Sequence, residues 1–141
     1  MKILVATDGS KCALNAVKYA AQLAVSLHST DRITLINVHD DSALRHAKKL
    51  LGKTSVEEYL RSLSEKEVKP AVEVLKNSGV PYDIVIKFGH IAEHILKTAA
   101  AGKYDLIILG AKGRTAFADL LLGSVAQRVL STAKQAVLLV K

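Results

Sequence analysis

Apolar positions along the chain change period again and again, and each change marks an element. Lys2–Thr7 is a short apolar run that ends in the polar turn Asp8-Gly9-Ser10. Ser10 is a residue type that caps a helix. After it Leu14, Val17, Ala21, Ala24 and Val25 recur at helical spacing and predict one buried stripe. Ile33–Val38, with Thr34 and Asn37 inside it, predicts a second strand. Residues 39–54 carry no clean period; a short helix there would put Leu44, Leu50 and Leu51 on one side. Val56–Asn77 reads as a long helix with a core face of Tyr59, Leu60, Leu63, Val68, Val72 and Leu75, interrupted and kinked at Pro70 and ended by Ser78-Gly79. Tyr82–Phe88 alternates as a third strand, and Gly89 turns the chain into a helix over Ile91–Ala101.

Asp105–Leu109 is a continuous apolar strand, the pattern of a strand covered on both faces. A glycine-containing stretch, Gly110–Leu122, leads to a helix over Ser124–Ala133, where Ser124 and Gln127 have the spacing of a capping box. Ala136–Val140 is the last strand. Strands alternating with helices imply right-handed crossovers, and so an α/β fold with a parallel five-stranded sheet and helices on both faces. No linker, repeat or low-complexity segment divides the 141 residues, so residues 1–141 form one domain. A domain of this size buries roughly 70% of its unfolded surface, enough for a core without disulfides.

Half the residues are hydrophobic and 23% are charged, which excludes a disordered or fibrous chain. The longest apolar runs fall far short of the about 20 residues of a membrane span, and the early acid and glycine do not suit a signal peptide. The net charge of +7 favours polyanions in general, from nucleic acids to phosphorylated metabolites. Only six aromatic residues (four Tyr, two Phe) are present, few for the base-stacking platforms of a single-strand nucleic-acid binder. Cys12, the one cysteine, excludes an intrachain disulfide and any multi-cysteine metal site, fits a cytoplasmic setting, and reads as a small filler at a helix start.

In an open α/β sheet, ligands sit beyond the carboxyl ends of the strands, at the point where strand order reverses. The informative residues are therefore those just after each strand: Asp8-Gly9-Ser10, Val38-His39-Asp40-Asp41, Gly89-His90, and Gly110-Ala111-Lys112-Gly113-Arg114-Thr115 with the later Gly123-Ser124. The fourth group is the richest. Gly110 and Gly113 lack Cβ atoms, so backbone N–H groups can approach an anion closely. Gly123-Ser124 opens a helix whose free N–H groups and positive dipole end favour phosphate. Lys112 and Arg114 bring positive charge to the same place. Asp8 has the wrong sign for phosphate and suits a ribose, a base or a divalent cation.

These residues carry a resemblance that runs over essentially the whole chain. Ile3–Ser10, the strand end Asn37-Val38, the Asp105–Gly110 strand and Leu122–Val129 are similar to the universal stress protein family. Its ATP-binding branch has the pattern G-2x-G-9x-G-[S/T], which this sequence satisfies at Gly110, Gly113, Gly123 and Ser124. The resemblance implies a doubly wound, Rossmann-like domain with strand order 3-2-1-4-5. It also implies ATP, ADP or AMP as ligand, with Mg2+ or Mn2+ carried by the nucleotide. Asp8 would contact the ribose or the metal, Val38 would hold adenine through its backbone, and Gly110, Gly113, Gly123, Ser124 and Val125 would bind phosphates and ribose. Lys112 and Arg114, with the strand-end residues Ala6, Thr7 and Leu109, complete the expected binding set. The family often has Ser or Thr with His or Arg between the first two glycines; here Ala111 removes a hydroxyl and Lys112 keeps a cation. The resemblance also points to a homodimer, formed through the edge strand Ala136–Val140.

Other motifs compete less well. His90-Ile91-Ala92-Glu93-His94 spells an inverted zinc-protease motif, but Ile91 and Ile95 flank it as a core stripe and no third ligand follows. A phosphoacceptor receiver needs an acidic pair after the first strand, where only Asp8 stands. No Walker A string occurs, since Gly102-Lys103 is followed by Tyr104. The basic run Arg45–Lys53 reads as a solvated face in preference to a lid. The function expected is an adenine-nucleotide-binding stress-response protein, a switch or sensor with at most slow ATP hydrolysis and no assigned catalytic residue. The alternatives are a dimeric scaffold that binds no nucleotide, an adenylyl- or phosphoryl-transferring enzyme, and a nucleic-acid binder. The downstream partner is not legible.

Overall fold

In the computed structural model, which describes residues 1–114 and 122–141, the alternating periods resolve into ten principal elements. They are β1 (Ile3–Ala6), α1 (Lys11–Ser26), β2 (Ile33–His39), α2 (Arg45–Leu51), α3 (Lys53–Ser78), β3 (Tyr82–Phe88), α4 (Ile91–Ala101), β4 (Leu106–Gly110), α5 (Ser124–Thr132) and β5 (Ala136–Val140), with a single 3-10 turn at Ser42–Leu44. The sheet is parallel throughout, in the order β3-β2-β1-β4-β5. β1 lies at its centre, with Val5 opposite Leu35 on one side and Ile108 on the other.

Alternation along the strands divides the core in two. Ile3, Val5, Ile33, Leu35 and Ile108 face α1 and α3, meeting Ala16, Val17, Ala20, Val68 and Leu75. Leu4, Ile36, Val38, Ile107 and Leu109 face the other way, onto Ile95, Ala99 and Val129 of α4 and α5. This split gives a three-layer α/β fold. The first two crossovers carry the chain outward from β1 to β3. The third returns it past β1 to β4, so the order reverses between β1 and β4.

Several local expectations change. The buried face of α1 is Ala13, Ala16, Val17, Ala20, Ala21 and Ala24, while Val25, one residue past the stripe, is exposed. The buried face of α3 is Val56, Leu60, Ser64, Val68, Ala71 and Leu75; Tyr59 points to water, because a face that repeats at four residues passes it by. The helix runs on through Pro70, which is exposed, so the carbonyl that loses its donor lies on the solvent side. It ends at Gly79, whose φ of 71° is the left-handed C-cap conformation. The expected capping box at Ser124 and Gln127 is absent: Gly123 is the N-cap, Ser124 already lies in the first turn, and no side chain caps α5. In α2, Leu50 and Leu51 are exposed in place of forming a buried side. Thr115, in the expected binding loop, lies outside the described residues.

Candidate functional site: a cleft at the β1/β4 reversal

The cleft opens where the carboxyl ends of β1 and β4 diverge, and it encloses about 400 Å³. That is within the range of small-molecule sites. Its lower wall comes from β1 and the turn after it. Thr7 is buried, and its N–H donates to the Ile36 carbonyl at 2.9 Å. Asp8 follows, with Oδ1 accepting from Ser10 N at 2.9 Å, the local turn that precedes α1. Ser10 then caps α1, its hydroxyl accepting from Ala13 N at 3.2 Å. The second Asp8 oxygen reaches across the cleft and accepts from Arg114 N at 3.2 Å. Asp8 is thus the tie between the first strand and the loop after the fourth.

The glycines have different reasons. None of Gly110, Gly113 or Gly123 has a positive φ, so the need is for space and not for a left-handed backbone. A Cβ on Gly110 would come within 2.7 Å of Ala13 N and 2.8 Å of the Cys12 carbonyl carbon. This glycine admits the start of α1 against the end of β4. A Cβ on Gly113 would lie 3.0 Å from Asp8 Oδ2, inside the cleft mouth. One on Gly123 would lie 3.3 Å from Gly113 N. Those two glycines bring bare main chain together where an anion would approach. Gly123 N also donates to the Ala111 carbonyl at 2.8 Å, closing the loop onto the start of α5. With no side-chain cap, the first-turn N–H groups of α5 open toward the cleft, at the positive end of the helix dipole.

The other end of the cleft is apolar. Val38, Ile36 and Leu109 come from the strands, and Ile91 and Ile95 come from one face of α4. The cleft therefore pairs a greasy slot with an amide-rich, charged mouth. All twelve residues expected from the sequence line it: Ala6, Thr7, Asp8 and Val38 from the first half of the chain, and Leu109, Gly110, Lys112, Gly113, Arg114, Gly123, Ser124 and Val125 from the second. Sequence reading did not place Ile36, Ile91, Ile95, Ala13 or Ala126 there, nor assign His39 and Asp40 a part in it. The i, i+4 pair Ile91 and Ile95 was the available signal, and it serves core and cleft together.

Behind the mouth lies a charged cluster that no motif announces. Glu67 of α3 is nearly buried, with 13% of its side chain exposed. Its Oε1 accepts from the Arg114 guanidinium, and its Oε2 accepts from Asn37 Nδ2 at 3.1 Å. His39 Nε2 approaches Oε2 to 2.9 Å, close enough for an ion pair but misaligned for a hydrogen bond. Asn37 is wholly buried and also donates to the Thr7 carbonyl at 2.9 Å.

The remaining motifs lie elsewhere. Glu93 pairs with Lys97 at 2.5 Å, and its carboxyl is held below the usual range by that hydrogen bond and the same charge. Among the described residues no three His, Cys, Asp or Glu side chains gather as a metal site. Within Arg45–Lys53, Lys48 reaches back to Asp41 at 2.7 Å, and none of the described side chains of the run lines the cleft. No helix among the described residues is long and apolar enough to cross a membrane.

Comparison with known proteins gives a consistent result. The model of the universal stress protein family matches residues 1–141. A universal stress protein from Thermus aquaticus is 36% identical over 140 residues, covering 99% of this chain and 97% of that one. Among solved structures, protein MJ0577 of Methanocaldococcus jannaschii superposes with a TM-score of 0.86 at 27% identity, over 99% of this chain and 94% of that one. A universal stress protein of Archaeoglobus fulgidus, solved in complex with dAMP, superposes with a TM-score of 0.71 over 100% of this chain and 98% of that one; at 17% identity this likeness speaks for the fold.

Proposed function

The chain belongs to the universal stress protein family, and we propose that it binds an adenine nucleotide in the β1/β4 cleft and acts as a nucleotide-dependent switch or sensor. The observation that carries this reading is the convergence of Gly113, Gly123 and the uncapped start of α5 on one mouth, next to Lys112 and Arg114. Backbone amides at a helix N-terminus suit phosphate oxygens, and two basic residues add charge of the right sign. The slot of Val38, Ile91 and Ile95 offers apolar surface for the base. Asp8, at the junction, is placed for a ribose hydroxyl. The Archaeoglobus fulgidus protein of the same fold holds dAMP, which supports an adenine ligand.

Gly113, Gly123, Ser124 and Val125 at the mouth would receive the phosphates. A divalent ion, Mg2+ or Mn2+, would arrive on the phosphates, with Asp8 as the carboxylate we expect to meet it. In this reading hydrolysis is at most slow and the protein works by occupancy. For occupancy to act as a switch, the nucleotide must favour one state of the protein by its difference in affinity. The exposed edge of β5 supports a homodimer, since an unpaired parallel edge offers its hydrogen-bonding groups to a second copy.

Mass spectrometry of the small molecules released from purified, denatured protein tests the proposal directly. An adenine nucleotide in stoichiometric amount is the expected result. Its absence, together with no heat of binding for ATP, ADP or AMP, favours a scaffold that binds no nucleotide.

A further inference from the structure

Glu67 touches the cleft through Arg114 and His39, and the nucleotide reading does not use it. Its carboxylate is fixed from behind: Asn37, itself fully buried and tied to Thr7, donates to one oxygen, and His39 stands against the same oxygen. Its other oxygen holds the Arg114 guanidinium. The two partners differ in freedom. The Glu67 side chain is 13% exposed and that of Arg114 is 54% exposed. Arg114 is therefore the partner that can turn, and Glu67 is the one that stays.

We infer that Glu67 is a specificity-determining residue, setting how strongly the cleft prefers long phosphate chains by holding Arg114 as its counter-ion. The inference rests on the nucleotide reading above. A ligand whose phosphates recruit Arg114 must draw it away from a nearly buried carboxylate or share it, and losing that partner leaves Glu67, among the described residues, with Asn37 and His39. Leaving a buried charge short of a partner is costly. The cost falls on ATP and spares adenosine, which carries no phosphate charge to draw the guanidinium away. Arg114 is also bound through its main-chain N–H to Asp8, so two carboxylates constrain one cation at the mouth. The cleft therefore accepts adenine ligands of low phosphate charge more readily than its count of basic residues suggests.

The test is calorimetric binding of adenosine, AMP and ATP with Mg2+ to the wild type, Glu67→Gln, Arg114→Gln and the double variant. The ratio of ATP affinity to adenosine affinity is the quantity read, because damage to the fold lowers both together and leaves the ratio unmoved. Glu67→Gln keeps an acceptor for Asn37 and removes the charge. It should raise the ratio about three- to tenfold, the scale of one charge-assisted hydrogen bond weakened by solvent. With Arg114 already replaced, the same change should move the ratio less than twofold. Glu67→Asp, one methylene short of Arg114, should also raise the ratio and carries the test if the Gln variant does not fold. An unchanged or lowered ratio overturns the inference, as does an equal gain without Arg114. A wild type that binds none of the three ligands overturns the nucleotide reading itself, before any variant is compared.

Discussion

Replacing Gly113 by valine separates a glycine that serves a ligand from one that serves the fold. Its ideal Cβ would sit 3.0 Å from Asp8 Oδ2. That is closer than ordinary van der Waals contact, and valine adds two methyl groups beyond it. Asp8 must yield, and the 3.2 Å bond from Arg114 N to the same oxygen goes with it. The methyl groups also take up space at the cleft mouth, which Gly113 and Gly123 both line and where main-chain amides would meet phosphate. Hydrogen bonds to a charged group are each worth about 1.5–3 kcal/mol. Loss of two of them weakens ATP binding by about 3 kcal/mol or more, roughly a hundredfold. Stability should barely change, because Gly113 is exposed and its φ is not positive. Gly110→Ala is the contrast. Its Cβ would lie 2.7 Å from the backbone of α1, so the helix must shift, at about 1–3 kcal/mol of stability. Calorimetry with ATP and thermal unfolding distinguish the two. Normal ATP affinity in Gly113→Val would refute the assignment of the mouth, and a large loss of stability there would show that this glycine too is a packing residue.

Other expectations are simpler. Asp8→Ala removes the acceptor for both Ser10 N and Arg114 N; it should weaken nucleotide binding at least tenfold, about 1.4 kcal/mol, and a titration unchanged from wild type counts against any ribose or metal role. Arg32 donates to Asp83 at 2.8 Å, and that hydrogen bond, with the accompanying charge, lowers the Asp83 carboxyl below its usual value while raising Arg32. A depressed carboxyl stabilises above its unfolded value of about 3.9 and loses that contribution as pH falls through the lower, folded value. The melting temperatures of wild type and Arg32→Gln should therefore converge as pH drops below about 4, by a small, salt-sensitive amount since the pair is exposed; a constant gap down to pH 2 contradicts this. Light scattering should give twice the mass of one chain, and a monomer at working concentration removes the β5 edge as a dimer surface.

Much of this architecture can be read from residue pattern because the physics is local. Leu106–Leu109 is apolar on both faces, the pattern of a covered, parallel strand. The twelve cleft residues follow from the same logic, since every one lies at or just beyond a strand end or at the start of α5. Failures occurred where one choice among near-equal neighbours is settled by packing. Tyr59 and Val25 belong to amphipathic helices but stand one position off the buried face. Ser124 has the chemistry of a cap, yet Gly123 takes that position because its N–H is held by Ala111 in the loop closure. Glu67 was invisible for a different reason. It sits among the charged residues of a long surface helix, and its partners Asn37, His39 and Arg114 are 28 to 47 residues away in sequence.

The charge of the cleft bears on what the protein's basicity means. The chain carries +7 overall, yet Lys112 and Arg114 share the cleft lining with Asp8 and Asp40, and Arg114 is bound to two acids, through its main chain to Asp8 and through its side chain to Glu67. The excess of positive charge therefore lies elsewhere on the surface and can draw anions toward the protein without selecting one. Selection must come from fixed dipoles: the first-turn amides of α5 and the main chain at Gly113 and Gly123, which need no counter-ion and cost no side-chain ordering. A site built this way loses little affinity as salt rises, because few free charges are being neutralised. Nucleotide affinity measured from low to physiological salt should thus fall by less than about threefold, whereas a steep decline would return the recognition to the lysines and arginines of the surface.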